Sequence, residues 1–157
     1  MKFILANESH YENIANLVSS PEELYLVFPS GQYPWSAAQL KKLSTKRKEL
    51  TVCIVEDEIA AFANLYEVEP NKSAFIGNVI VSSKHRGQGL GKSLTQHMIQ
   101  KCQDNYNAAP HLSVFSFNEK ALLMYVGIGF KPYEIEAREG LNGKQVALIH
   151  MRYERKT

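Results

Sequence analysis

Residues 79–93 read Val-Ile-Val-Ser-Ser-Lys-His-Arg-Gly-Gln-Gly-Leu-Gly-Lys-Ser. An apolar, β-branched run breaks into a loop with glycine at 87, 89 and 91, and the loop opens a stretch with helical spacing. Strand, glycine loop and helix in that order narrow the possible folds sharply. Glycine lets the backbone turn tightly and come close to a ligand. Free N–H groups at the helix start, aided by the helix dipole, then face negative charge. The stretch therefore predicts a site for a phosphate-bearing molecule.

Register tests two familiar phosphate loops. A Walker A loop ends in Gly-Lys-Ser/Thr, which Gly91-Lys92-Ser93 supplies, but its first glycine would fall on Arg86. A dinucleotide fingerprint counted from Gly87 or Gly89 needs its third glycine at Lys92 or Leu94. Both templates fail, which disfavours a nucleotide hydrolase. What remains is Arg86-x-x-Gly89-x-Gly91 after a strand, with Val81 five residues before the arginine.

Around this loop the pattern predicts a strand over 2–6 and a helix carrying Tyr11, Ile14, Ala15 and Val18. A second helix starts at Pro21, and a third, capped by Ser36, runs through Leu40 and Leu43. Strands follow over 50–55, 59–69 and 74–81, with turns at Asp57-Glu58 and Pro70-Asn71-Lys72. Leu90, Leu94, Met98 and Cys102 mark one face of the next helix. A strand at Leu112 to Phe115 leads to Ser116-x-x-Glu119, which has capping-box spacing, and to a helix ended by Gly129. Two strands close the chain, joined at Gly140 to Gly143. The expected architecture is α/β of the α+β kind, a mixed and mostly antiparallel sheet of about seven strands flanked by helices.

The 157 residues suit one domain spanning 1–157. A net charge of +2 argues against nucleic acid as partner, and no apolar run is long enough to span a membrane. No signal peptide is read at the start, so a cytoplasmic protein is expected. Cys53 and Cys102 read as core residues, and no histidine has ligand spacing, so no metal is expected. His85 reads as solvent-facing or as a minor phosphate contact, and Lys46-Arg47-Lys48 as a solvated face.

The Arg86 to Gly91 pattern resembles the pyrophosphate-binding signature of the GNAT superfamily of N-acetyltransferases, with Ser83 where that family often has proline. A second stretch, Asn118-x-x-Ala121-x-x-x-Tyr125 before Gly129-Phe130, resembles the other half of that signature. Asn118 and Tyr125 stand close to two helical turns apart and share a face. Pro34-Trp35, Phe62-Ala63-Asn64, Gly77-Asn78 and Val146 to Ile149 are similar to a bacterial subgroup. The element order matches the family over nearly the whole chain.

The resemblance implies acetyl-coenzyme A as donor and a primary amine, on a small molecule or a lysine-bearing peptide, as acceptor. It implies that Arg86, Gly87, Gln88, Gly89, Leu90, Gly91, Lys92 and Ser93 hold the pyrophosphate, with Arg86 shaping the loop. Val79, Ile80 and Val81 would splay from the next strand and pair with the pantetheine arm, as in strand addition. Asn118 would contact the coenzyme and Tyr125 would serve the departing sulfur as general acid. Asn78, opposite Val79 and Val81 by alternation, would hold the amine or a water. Glu23, Tyr25, Tyr33, Trp35, Asn64 and Tyr66 are the candidate acceptor contacts, and Glu23, Glu67, Glu69 or water the candidate base. The alternative in another class is an acyl-coenzyme A-binding sensor with degenerate catalysis. Either a monomer or a homodimer is compatible with these features.

Overall fold

The computed structural model describes residues 1–154. Its elements are β1 (Lys2–Leu5), α1 (Tyr11–Ala15), α2 (Pro21–Val27), α3 (Ala37–Ser44), β2 (Lys48–Val55), β3 (Glu58–Glu69), β4 (Ser73–Val81), α4 (Leu90–Tyr106), β5 (Ala109–Phe115), α5 (Glu119–Ile128), β6 (Phe130–Glu139) and β7 (Gln145–Tyr153). The strands form one seven-stranded sheet in the order β1-β2-β3-β4-β5-β7-β6. Among the described residues only β4 and β5 run parallel, because α4 carries the chain across the sheet between them. The α+β architecture read from the sequence is the one observed. No helix among the described residues is long and apolar enough to cross a membrane.

Two cores cover the two faces. Leu94, Met98 and Cys102 of α4 and Tyr125 and Ile128 of α5 pack on one face, over Cys53, Leu65, Ile76, Leu112, Val114 and Met151. Ile14, Leu24, Leu40 and Leu43 of α1 to α3 pack on the other, over Val52, Phe62 and Ile80. Residues 60–65 of β3 are buried throughout, as expected of a strand covered on both sides. Burial pushes the Cys102 thiol up to about 12 and raises that of Cys53. Ellman titration of the native protein is therefore expected to find neither thiol reactive, and of the unfolded chain to find both. Rapid labelling of native protein would contradict this packing.

Local signals hold where the geometry is local. Ser20 and Ser36 cap α2 and α3 through Glu23 N and Gln39 N. The β2–β3 turn uses positive φ at Glu56 and Asp57. The capping box at Ser116 does not form: Asn118 is the N-cap of α5, and its side chain makes no capping bond. His85 is buried rather than solvent-facing, and its Nδ1 has no partner among the described residues.

Strict alternation fails in β4. The β3–β4 register shifts by one between Phe62↔Ile80 and Asn64↔Gly77, and Asn78 adopts φ +53°. This bulge sends Ile76 and Ile80 to opposite cores although both positions are even. It sits where the parallel β4–β5 ladder stops. Pairs run from Ser73↔Ala109 to Ile76↔Leu112, and beyond them the two strands diverge. Gly77 is required at the apex, since a Cβ there would collide with the Arg47 guanidinium and the Tyr66 ring.

Candidate active site

The diverging strands open a cleft of about 340 Å³. Gly77 to Val79 and Ser113 to Phe115 form its fork, and Asn118, Ala121 and Tyr125 of α5 form one wall. Val27 and Phe28 at the end of α2, Arg47, and Tyr66 and Glu67 of β3 line the other side. Arg138, Leu148 and His150 close it from β6 and β7.

The glycine loop lies where β4 leads into α4. Gly87 and Gly89 have φ +80° and +79°, and a Cβ on either would meet nothing within 4 Å. These glycines therefore serve backbone conformation and leave open space above the loop. Gly89 is the N-cap of α4 and supplies no side-chain cap. The first helical N–H groups, at Leu90, Gly91 and Lys92, then have no intrahelical acceptor. Ser93 N already donates to Gly89 O at 3.1 Å. Leu90 is buried in the core, whereas Gln88 and Lys92 are exposed. Arg86 is tied to protein: Nε donates to Val81 O at 3.2 Å and Nη2 to Glu23 at 2.7 Å. Those bonds brace the loop against α2. The open N–H groups and exposed Lys92 fit a pyrophosphate.

Asn118 lines the cleft from the N-cap of α5. Tyr125 lines it too, with its ring packed edge-on to Phe130 at 5.9 Å. Burial pushes its phenol well above the ordinary tyrosine range. The hydroxyl therefore stays protonated at neutral pH and can only donate toward a developing anion.

The acceptor side differs from the sequence expectation. Trp35 is a core residue against Phe28 and Phe62. Tyr33 donates its hydroxyl to Ser19 O, and Tyr25 donates its own to Glu139 O while stacking on Phe115. None of these three lines the cleft. Glu23 is bound by Ser19 and Arg86. Partial burial raises its pKa, but those hydrogen bonds and the Arg86 charge outweigh this and hold it below the usual range. Glu69 pairs with Lys72 away from the cleft. Of the three candidate carboxylates, only Glu67 borders it.

Asn78 and Asn64 belong to a buried network with Arg47. Asn78 Oδ1 accepts from Arg47 Nη1 at 2.9 Å and from Asn64 Nδ2 at 2.7 Å, while its Nδ2 donates to Val27 O at 2.7 Å. Both lone pairs are spent, so Asn78 has none to offer an ammonium. Its place is to pin the bulge to α2. Arg47, expected on a solvated face, instead lies 4.3 Å over the Tyr66 ring, and burial lowers its pKa. A lysine- and arginine-rich run carries no periodic sign that one member turns inward.

The cleft also holds a side-chain chain that sequence spacing missed. Ser113 Oγ lies 2.6 Å from His150 Nδ1, and His150 Nε2 lies 3.0 Å from Glu136 Oε2. Glu136 also accepts from Arg138 Nε. Bonds from His150 and then Arg138 hold its carboxyl below the usual range. Ligand-type atoms of Glu134, Glu136 and His150 gather within 4.8 Å, a grouping invisible along the chain. Only the β5-β7-β6 order brings these residues together.

Known proteins share this framework. The sequence is 27% identical over 114 residues to mouse N-acetyltransferase 8F1, covering 62% of this chain and 51% of that protein. The chain thus spans about half the length of that curated relative. It is 26% identical over 119 residues to Escherichia coli [ribosomal protein bS18]-alanine N-acetyltransferase, covering 74% and 79%. The Vibrio cholerae spermidine N-acetyltransferase SpeG has the same fold, with a TM-score of 0.78 at 17% identity over 98% of this chain and 95% of that one. The sequence model described as Acetyltransferase (GNAT) family matches residues 13–130. With the forked β4–β5 pair and the glycine loop at the start of α4, this chain belongs to the GNAT acetyltransferase family.

Proposed function

We propose that the chain transfers an acetyl group from acetyl-coenzyme A to a primary amine. The observation that supports this most is the fork: Tyr125 lines it, and β4 runs from it into the glycine loop. Backbone N–H groups of the loop and of α4's first turn hold the pyrophosphate. Beyond the last β4–β5 pair, the side of β4 facing away from β3 at Val79 to Val81 lies open to the amide-rich arm, and Asn118 borders the same groove. In this reading the thioester lies between the two cores. Positioning of this kind lowers a barrier by several kcal/mol, of the ~7–11 kcal/mol that ideal orientation supplies.

The amine then attacks the thioester carbonyl directly. The C–N bond forms, the C–S bond breaks, and Tyr125 donates to the sulfur. The N–H of Val79 or Ile80 polarises the carbonyl as a single-donor oxyanion hole. The acceptor amine enters from the α2 side, where Phe28, Tyr66 and Phe75 supply apolar walls and Glu67 a negative charge. Those walls suit the stem of a small amine or a lysine side chain.

The reading is tested with an amine panel of spermidine, an aminoglycoside, a lysine-bearing peptide and a peptide with a free alanine N-terminus, followed by mass detection of acetylated product. Acetylation of at least one is the expected result. Reaction of spermidine or the aminoglycoside with no reaction of the lysine peptide would remove peptides from the acceptor class. Tight acetyl-coenzyme A binding without turnover on any amine would make the chain a sensor.

A further inference from the structure

A protonated amine cannot attack a thioester, and an alkyl amine with a pKa of about 10.4 is almost wholly protonated at pH 7. Resting on the acetyltransferase reading above, we propose that Ser113 takes this proton and relays it to His150, with Glu136 holding the resulting imidazolium.

The tautomer follows from the partners. Glu136 is a carboxylate held by two donors and can only accept, so His150 Nε2 carries the ring proton. His150 Nδ1 is then a lone pair, and the Ser113 hydroxyl donates to it at 2.6 Å. Hydroxyl, imidazole and carboxylate stand in the order that makes a hydroxyl able to give up its proton while it accepts another. The sheet sets this geometry. Ser113 and His150 are direct cross-strand partners in the β5–β7 ladder, and His150 faces Glu134 in the β7–β6 ladder, two residues from Glu136.

Position assigns the relay to the acceptor. Ser113 is the first residue of β5 beyond the last β4–β5 pair, Ile76↔Leu112, so it stands at the apex of the fork. Leu112 and Val114 point into the core shared with Tyr125, and alternation turns Ser113 to the other face. Acid and base thus lie on opposite sides of the fork, as an amine attacking from one side and a sulfur leaving on the other require. Ser113 is also a hydrogen-bond partner of Tyr66 in the cleft wall. Glu67 borders the same cleft from the exposed end of β3 and is the competing base that a Glu67→Gln variant tests.

The groups facing His150 are Ser113 from β5 and Tyr133, Glu134, Glu136 and Arg138 from β6. Arg47, Tyr66 and Glu67 stand across the cleft, and Arg152 on β7 is paired with Glu154. In the step itself, the ammonium N–H bond breaks and its proton goes to Ser113 Oγ while the serine proton goes to Nδ1. The freed lone pair forms the C–N bond and the C–S electrons leave with sulfur. The acylated nitrogen sheds its second proton to the departing thiolate, which gives the amide and the thiol, and His150 later returns the first proton to water. Ser113 is regenerated and never acylated.

The test measures kcat and kcat/KM against pH for the wild type, Ser113→Ala, His150→Gln and Glu67→Gln. Spermidine and a peptide with a free alanine N-terminus serve as acceptors, and calorimetric acetyl-coenzyme A binding reports folding. Ser113→Ala and His150→Gln are expected to lose about 10²–10³ in kcat at pH 7 with donor affinity kept. His150→Gln is also expected to lose the acidic limb of the profile and to recover rate as alkali frees the amine. An acidic limb that persists in His150→Gln and vanishes in Glu67→Gln overturns the relay and leaves the enzyme reading intact. So does an acetyl group found on Ser113 by intact mass. A wild type that binds acetyl-coenzyme A and acetylates none of the four amines of the panel defeats the enzyme reading and the relay together.

Discussion

Tyr125→Phe is expected to lower kcat by about 10²–10⁴ while acetyl-coenzyme A binds within about twofold of the wild type. The substitution removes one oxygen and keeps the ring, so the edge-on packing against Phe130 at 5.9 Å survives. On the proposed mechanism, what is lost is the donor to the departing sulfur. Burial holds the Tyr125 phenol well above its ordinary pKa, whereas an ordinary thiol ionises near about 8.5. Full proton transfer from phenol to thiolate is therefore uphill. The hydroxyl acts by a hydrogen bond that strengthens as the C–S bond lengthens, an interaction realised only in the transition state. Such a loss appears in kcat rather than in donor affinity. Steady-state rates beside calorimetric dissociation constants separate the two, and unchanged turnover would end the role of Tyr125 as acid.

Gly89→Val carries the second large effect. Its φ of +79° is a left-handed conformation, which costs a β-branched residue about 1–2 kcal/mol. No protein atom lies within 4 Å of the added Cβ, so the folded chain meets strain and no clash. A fall in melting temperature of roughly 2–8 °C follows for a chain of this length. Donor binding suffers far more, because the side chain occupies the space above the loop and re-aims the free N–H groups at the start of α4. Losing two charge-assisted bonds of about 1.5 kcal/mol each weakens acetyl-coenzyme A about 100-fold. Gly91→Ala is the control. Its φ is ordinary, and its Cβ would approach the flexible Met124 side chain at 3.2 Å to Sδ, which can yield. Wild-type affinity in Gly89→Val would detach the loop from the pyrophosphate.

The division between what could and could not be read along the chain is physical. Hydrophobic period and turn chemistry act over a few residues, so strands and helices were legible, down to Pro21 at the start of α2 and Ser36 as the N-cap of α3. The glycine loop was legible because its φ requirement and its helix start are local. Asn78 faces away from Val79 and Val81 as alternation predicts, but the Arg47 and Asn64 side chains that occupy its oxygen come from distant parts of the chain, and no local pattern announces them. Arg47 was misread because a basic run has the composition of a solvated face whichever way one member points. Trp35, Tyr33 and Tyr25 were placed on the acceptor wall, yet each finds its partner elsewhere in the fold.

The proposed donor half of the site, from Val79 to Ser93 with Asn118 and Tyr125, was therefore written in contiguous motifs, since a helix start and two turns of helix build it. The acceptor half was decided only by tertiary structure. Ser113, Glu136 and His150 come from three strands that the sheet order sets side by side, and no spacing along the chain encodes that order. Hydrogen bonds of this range depend on distance in space, and residues 113 and 150 become neighbours only when β5 pairs with β7.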